Sequence, residues 1–315
     1  MTTATKPRPA TDLEIENPLH RLTPEQIEAI GREFDELHDQ VKSELGDRDA
    51  RYIRGIIALH RRLALLGRAL LIASRFRPAW MAGTATLSLA KILENMEIGH
   101  NVLHGQWDWM NDPVINSQAW DWDTASTAEA WRHSHNYIHH TYTNIRGKDK
   151  DLGYEIMRID PHQRWHPVYL LQPLYNVLLM ALFEWGVAFH DLDLDAIRSG
   201  EKSKEQLRKE LKGIFGKARL QIVKDYVAWP LISAVVMTAI EAGVGAARPR
   251  TRRARLKSRL RREERFDFVT AARRTYTATV LADVTANVVR NVWAHAIIFC
   301  GHFPDQTYTF GQKEV

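Results

Sequence analysis

His100-Asn-Val-Leu-His104 and, further along, Trp131-Arg-His-Ser-His-Asn-Tyr-Ile-His-His140 decide how this chain is read, because six of its 14 histidines fall between His100 and His140. The first group places two imidazoles four residues apart; the second repeats that spacing at His135 and His139, with His140 adjoining. On a helix such pairs stand one above the other on a single face and can converge on one cation. Neutral imidazole suits zinc, copper and iron, and its ordinary pKa of about 6.5 leaves it mostly unprotonated at neutral pH. Five nearby imidazoles exceed the ligand set of a tetrahedral zinc ion, which argues for more than one metal. A lone His-x-x-x-His is more often a surface or core pair, but two such groups ending in a His-His doublet do not reduce to that. Glu97, three residues before His100, is placed to orient an imidazole from behind, whereas Glu94 reads as an ordinary solvated charge. His133 falls on the wrong side of a helix for the same metal. His20 and His38 read as surface residues, and His162, His166 and His190, without partners at metal spacing, read as structural.

Outward from this centre every placeable element is helical, with no alternating strand-length run. Residues 1–18, rich in Thr, Pro and Ala, read as a flexible leader. Thr23, Pro24 and Gln26 form a capping box, and Ile27, Ile30, Phe34, Leu37, Val41 and Leu45 then mark one face of an amphipathic helix. Four later stretches are candidates for a bilayer, which needs roughly 20 mostly apolar residues per spanning helix. Residues 63–90 suit a hairpin of two short helices restarted at Pro78. Residues 168–190, with Glu184 as their one formal charge before the final histidine, and residues 227–247, with Glu241, are the most apolar. Residues 276–301 contain Asp283 and Arg290 and span only if those charges face protein or water. The competing reading makes all four buried helices of a soluble all-α protein.

Composition narrows the classes. A chain of 315 residues with 45% hydrophobic and 26% charged residues folds, and its mean hydropathy of −0.35 is that of a soluble protein despite the apolar windows. The single cysteine, Cys300, excludes a disulfide framework and any CxxC-based site. No secretory pattern stands at the start, so a cytoplasm-facing protein is expected. Net charge is +5, but residues 248–265 carry 10 Lys/Arg against Glu263 and Glu264, a surplus of +8 that leaves the rest at −3. The basic balance belongs to one insert, and a nucleic-acid partner is not expected.

Gly99-His-Asn-Val-Leu-His-Gly-Gln-Trp-Asp-Trp-Met-Asn-Asp-Pro113, His135-Asn-Tyr-Ile-His-His-Thr-Tyr-Thr-Asn144 and Asn291-Val-Trp-Ala-His-Ala-Ile-Ile-Phe-Cys-Gly-His-Phe-Pro-Asp305 resemble the histidine-box segments of membrane fatty acid desaturases, most of all actinobacterial acyl-CoA desaturases. The likeness runs from about residue 25 to the end and is weakest in the insert. It implies an all-α, integral-membrane helical bundle in which helices at the cytosolic face carry the boxes, residues 19–315 forming one such domain, multi-pass in the cell membrane. It implies two iron ions, with O2 as co-substrate, held by His100 and His104 (box one), His135, His139 and His140 (box two) and His302. His295, Asn291 and Glu97 are further candidates for the metal or its surroundings, His295 sharing a helical face with Asn291 and His302; no catalytic residue is expected beyond the ligands. Such desaturases carry a third box, Gln-x-x-His-His, and no His-His doublet follows His140, so the chain reads as a C-terminally incomplete desaturase.

The implied reaction introduces a double bond into a long-chain fatty acyl thioester. Unactivated methylenes offer no acidic proton, so general acid/base or nucleophilic catalysis cannot begin it, whereas an oxidant made from O2 on iron can. Trp107, Trp109, Trp120 and Trp122 could line an acyl channel, anchor the interface or fill the core. No flavin or nicotinamide fingerprint is present, so a ferredoxin or cytochrome-type donor with its reductase is implied. A shared site needs an even number of crossings between His140 and His302. The family pattern makes residues 168–190 interfacial and puts the basic insert outside, against the positive-inside rule; the alternative makes 276–301 the non-crossing segment and leaves the insert free to bind anionic lipid headgroups. The family pattern is preferred. Alternatives to a desaturase are a histidine-box lipid hydroxylase and an inactive truncated remnant.

Overall fold

Thr23 opens the first helix as its spacing predicts: its hydroxyl accepts the Gln26 N–H at 3.3 Å, and its own N–H donates to Gln26 Oε1 at 2.8 Å. This helix, α1 (Pro24–Glu44), is separated by Leu45 and Gly46 from α2 (Asp47–Leu71). Its apolar row, Ile27 to Leu45, is exposed along its whole length. The computed structural model describes residues 22–159, 163–247, 267–303 and 307–312. The leader, His20, His162 and the basic insert lie outside the described residues.

The expected hairpin over 63–90 is present as α2 and α3 (Arg77–Ile92), although α2 begins well before the apolar stretch. Pro78 occupies the first turn of α3, where its missing N–H costs nothing. Two glycines let the helices approach closely. A Cβ on Gly67 would stand 3.0 Å from the Leu87 backbone nitrogen, and one on Gly83 would stand 2.9 Å from the Leu71 side chain.

Beyond α3 the helix continues through a π-helical turn (Leu93–His100) and a last α-turn (Asn101–Leu103). A second π-helical segment (Arg132–His139) follows a capped turn (Ala128–Trp131). Residues 168–190, among the two most span-like by hydropathy, form no spanning helix. A 3-10 turn (Pro167–Leu171) leads into α4 (Gln172–Ala181), and a kink at Leu182 separates it from α5 (Phe183–His190). The cause is a distant residue: Asn291 donates to the Ala181 carbonyl at 2.9 Å, and the Trp185 N–H turns to Leu182 instead. Pieces of about 15 and 12 Å are too short to cross.

Helix α6 (Lys204–Gln221) runs through a third π-helical segment (Ile222–Ala228) into α7 (Trp229–Ala247), and α8 (Phe268–His302) returns. Within the continuous α6–α7 rod lies the one helix among the described residues that is long and apolar enough, by length and composition, to cross a membrane. Helix α8 packs against α3, α7 and α4. Its Asp283 and Arg290 are both buried against protein: Arg68 of α2 reaches Asp283 and, at 2.6 Å, Asp225, while Arg290 pairs with Glu184. Lys91 of α3 reaches Asp225 at 2.8 Å. Charges buried together with their partners avoid most of the penalty an isolated ion would carry. There is no strand among the described residues, only a single bridge between Ile145 and Phe310.

Candidate metal centre

Box one sits where the α3 helix widens. The π-helical turn ends at His100, and His100 Nε2 and His104 Nε2 come to 3.1 Å. π-Helical turns recur at functional sites because they displace side chains from regular α spacing. Box two lies on the second such segment, and the Asn136 side chain donates to the Leu103 carbonyl at 2.8 Å, tying one box directly to the other. His302, the last residue of α8, enters from the far end of the sequence.

The six imidazoles that the sequence groups lie together. Ring centroids are 5.2 Å apart for His104 and His135, 4.9 Å for His104 and His140, 5.1 Å for His135 and His139, and 4.7 Å for His139 and His302. Donor atoms of His100, His104 and His135 fall within 4.8 Å of one another, as do those of His135, His139 and Asp151. Trp131 closes one wall, stacked on His135 at 4.6 Å with edge contacts to His100 and His104.

Not every candidate joins them. His295 donates from Nε2 to Asn176 Oδ1 at 3.0 Å and stacks on Phe299, away from the other imidazoles. Asn291 spends its amide on Ala181 and its carbonyl on Arg290. The Glu97 carboxylate turns to the Tyr52 hydroxyl of α2 rather than to an imidazole. Glu94 is buried, not solvated: its Oε1 accepts the Asp123 N–H at 2.8 Å, folding the 120s loop onto the helix. His133 is exposed, stacked on Tyr137, and His38 is exposed as expected. His166 caps the turn before α4. Trp107 is core, packed with Ile53, Ile98 and Val102, with Trp109 and Trp120 against that cluster.

Three residues that the spacing argument passed over belong to the site. The Asp149 carboxylate accepts from His139 Nδ1 at 2.9 Å, and Asp151 accepts from His135 Nδ1 at 3.1 Å. His190, read from sequence as structural and partnerless, places Nε2 3.4 Å from Asp151. The carboxylates reach back because Asn144 (φ 62°) and Gly147 (φ 77°) take left-handed conformations that reverse the chain after box two. Those two turn-formers were the available sequence signal.

Electrostatics divides the imidazoles. Burial first, then repulsion from neighbouring imidazoles, pushes His100 down to about 3 and His104 to about 4. Burial also leads the lowering of His140. For His139 burial acts downward, but the Asp149 hydrogen bond and the charge of Asp151 outweigh it and raise the pKa. Burial opposes the charge on Asp151, yet hydrogen bonds from His135 and His190 hold it well below the usual carboxylate range. At neutral pH, His100 and His104 therefore offer lone pairs rather than protons. Nitrogens bound at about 2.1 Å to one ion stand roughly 3 Å apart along an octahedral edge, so the 3.1 Å between His100 and His104 fits a shared transition metal.

Residues 78–247 match the fatty acid desaturase family model. The chain belongs to the fatty acid desaturase family. A Mycobacterium tuberculosis protein named NADPH-dependent stearoyl-CoA 9-desaturase is 41% identical over 305 residues, which cover 97% of this chain and 62% of that relative. The sn-1 linoleoyl-lipid 6-desaturase of Synechocystis is 32% identical over 114 residues, covering 34% of this chain and 31% of its own. The acyl-lipid (8-3)-desaturase of Mortierella alpina is 27% identical over 117 residues, covering 32% and 26%. The chain thus spans 62% of the length of the mycobacterial relative. No solved structure matches significantly. Among the described residues, His100, His104 and His135 form one group that could hold a metal ion, and His135, His139 and Asp151 form another.

Proposed function

We propose that this protein is a membrane fatty acyl desaturase that introduces a double bond into a long-chain acyl thioester, with two iron ions held by His100, His104, His135, His139, His140 and His302. The convergence of these six imidazoles from three distant segments carries the reading. Iron bound there supplies, with O2 and two external electrons, an oxidant strong enough for an unactivated methylene. The residues of the chain do the rest. Trp122, Trp131, Phe183, Val187 and Ile298, together with Glu184 and Arg290, line a small cavity of about 50 Å³ beside His100, too narrow for an acyl chain as it stands, whose aromatic wall keeps bulk water from that side of the centre. Electrons come from a separate ferredoxin or cytochrome-type donor with its reductase. The mycobacterial relative is named as NADPH-dependent, which favours a nicotinamide-linked chain of supply.

The same reading makes α2, α3, α7 and α8 membrane-spanning, with the centre on the cytosolic side. Helix α6 supports this: it carries six Lys/Arg against two Glu and packs against the box-two layer, with Lys209 on Glu129 at 2.9 Å and Lys217 on Asp121 at 2.7 Å. The exposed Leu170, Leu171, Leu174, Val177 and Leu178 suit an interfacial segment lying on lipid.

Expression in a host membrane with an electron donor, followed by mass spectrometry of the fatty acyl pool, tests the proposal. A new, O2-dependent alkene is expected, lost in His135→Ala while membrane insertion persists. A hydroxylated acyl product without alkene would instead favour the hydroxylase chemistry.

A further inference from the structure

Six imidazoles face one another, but carboxylates stand behind only some of them. His139 Nδ1 is 2.9 Å from Asp149 and 3.7 Å from Asp151, and His135 Nδ1 is 3.1 Å from Asp151. An ionised carboxylate only accepts, so in both rings Nδ1 carries the proton and the Nε2 lone pair is left for the interior. Asp149 is itself fixed, accepting the Asn144 N–H at 2.8 Å and the Asp151 N–H at 3.0 Å. His100 and His104 lack such backing. Their Nε2 atoms meet each other, Trp131 borders both, and among the described residues no carboxylate pairs with either ring within 4.0 Å.

The backed side is also held from α5. His190, its last residue, places Nε2 3.4 Å from the Asp151 oxygen that does not face His135. The next residue, Asp191, is buried and accepts from Ser134 Oγ at 2.6 Å and Ser126 Oγ at 2.5 Å. Two consecutive side chains therefore grip the box-two helix on either side of His135: one through Asp151 on its ring, the other through the serine that precedes it.

We propose that the metal centre has unequal halves: the half at His135 and His139, backed by Asp149 and Asp151 and braced by His190 and Asp191, takes up the first metal ion, and the bare half at His100 and His104 binds the second more weakly. A carboxylate behind an imidazole fixes the ring and raises its basicity, and loss of such a partner typically lowers metal affinity about 10- to 100-fold. The inequality rests on reading these imidazoles as metal donors. His190 is a positioning residue in this scheme, acting through Asp151.

Titration of the metal-free chain in detergent with Co(II) alone, followed by its visible absorption, tests the inequality without any turnover. Two resolved steps are expected, the first tighter by on the order of tenfold or more. Asp151→Asn weakens the first step about 10- to 100-fold and leaves the second in place, while His100→Ala removes the second and spares the first. His190→Ala weakens the first step and shifts its absorption, and His190→Gln, which keeps an N–H for Asp151, restores both. Equal steps in the parent chain, or Asp151→Asn and His100→Ala acting on the same step, overturn the proposal while leaving a metal centre in place. If Asp151→Asn does not retain its far-ultraviolet helical signal, the parent chain and His100→Ala decide between these outcomes. Absence of any Co(II) uptake by the folded parent chain overturns the metal centre as well.

Discussion

Lowered pKa values at His100 and His104 have a consequence for stability that runs in one direction. Burial, followed by the neighbouring imidazoles, holds these groups at about 3 and about 4 in the folded chain, whereas an unfolded chain protonates them near 6.5. Between roughly pH 6.5 and 4 the unfolded state therefore binds more protons, and stability falls as pH falls through that window. His139 and His190 work oppositely. Burial lowers them, but their carboxylate partners win, so their contribution is complete below about 6.5 and is lost as pH rises through their folded values. Glu94, pushed up to about 7 by burial, and Asp191, raised by burial, oppose the two imidazoles over the same window, so the histidine contribution is read as a difference between variants. As pH falls from 7 to 4.5, metal-free His100→Gln is expected to gain stability relative to the metal-free parent chain; circular dichroism melts of the two across the range decide it, and a constant difference between them would remove His100 from the explanation. At this scale the histidines were legible because ligand spacing on a helix is a local property. Asp149, Asp151 and His190 were not, since their proximity depends on left-handed turns at Asn144 and Gly147 and on the docking of α5.

Among the elements, three glycines on the α2–α3 hairpin separate intrinsic helix propensity from packing. Gly55 is exposed and a methyl group added there would meet nothing within 4 Å, so Gly55→Ala gains helix propensity of roughly 0.5–1 kcal/mol and nothing opposes it. Gly67 faces the Leu87 backbone nitrogen at 3.0 Å, an atom that cannot step aside, so Gly67→Ala is expected to cost about 1–3 kcal/mol. Gly83 meets Leu71 side-chain atoms at 2.9 Å, which can rotate away, and Gly83→Ala should fall between the two. Thermal or denaturant unfolding of the three variants in detergent gives the order; Gly67→Ala as stable as Gly55→Ala would mean that the hairpin is not closely packed at this point. The cap of α1 and the restart at Pro78 were legible, being written within a few residues. The kink at Leu182 was not: hydropathy sees an unbroken apolar stretch, while the break follows from Asn291 taking the Ala181 carbonyl.

For the molecule as a whole, the preference for helices was legible in apolar periodicity, but their arrangement depends on buried charge that hydropathy counts only as a penalty. Arg68, Lys91, Asp225 and Asp283 join α2, α3, the third π-helical segment and α8, so charges that weaken each stretch as a span hold the stretches together. The direction of α8 then bears on topology. Because α8 ends at His302 beside His139, its start lies about 50 Å away at 1.5 Å per residue. If α7 and α8 both cross the bilayer, the 248–265 insert falls on the face opposite the metal centre, against the usual preference of basic loops for the cytoplasm. The opposing weight is the basic α6, which packs beside box two. Cysteine labelling in a Cys300→Ser background resolves the competition. Lys257→Cys is expected to react with a membrane-impermeant maleimide on intact cells, and Arg208→Cys only after lysis. Protection of both until lysis would put the insert and α6 on one side and make α7 the non-crossing helix; with His302 beside His139, α8 then could not cross either.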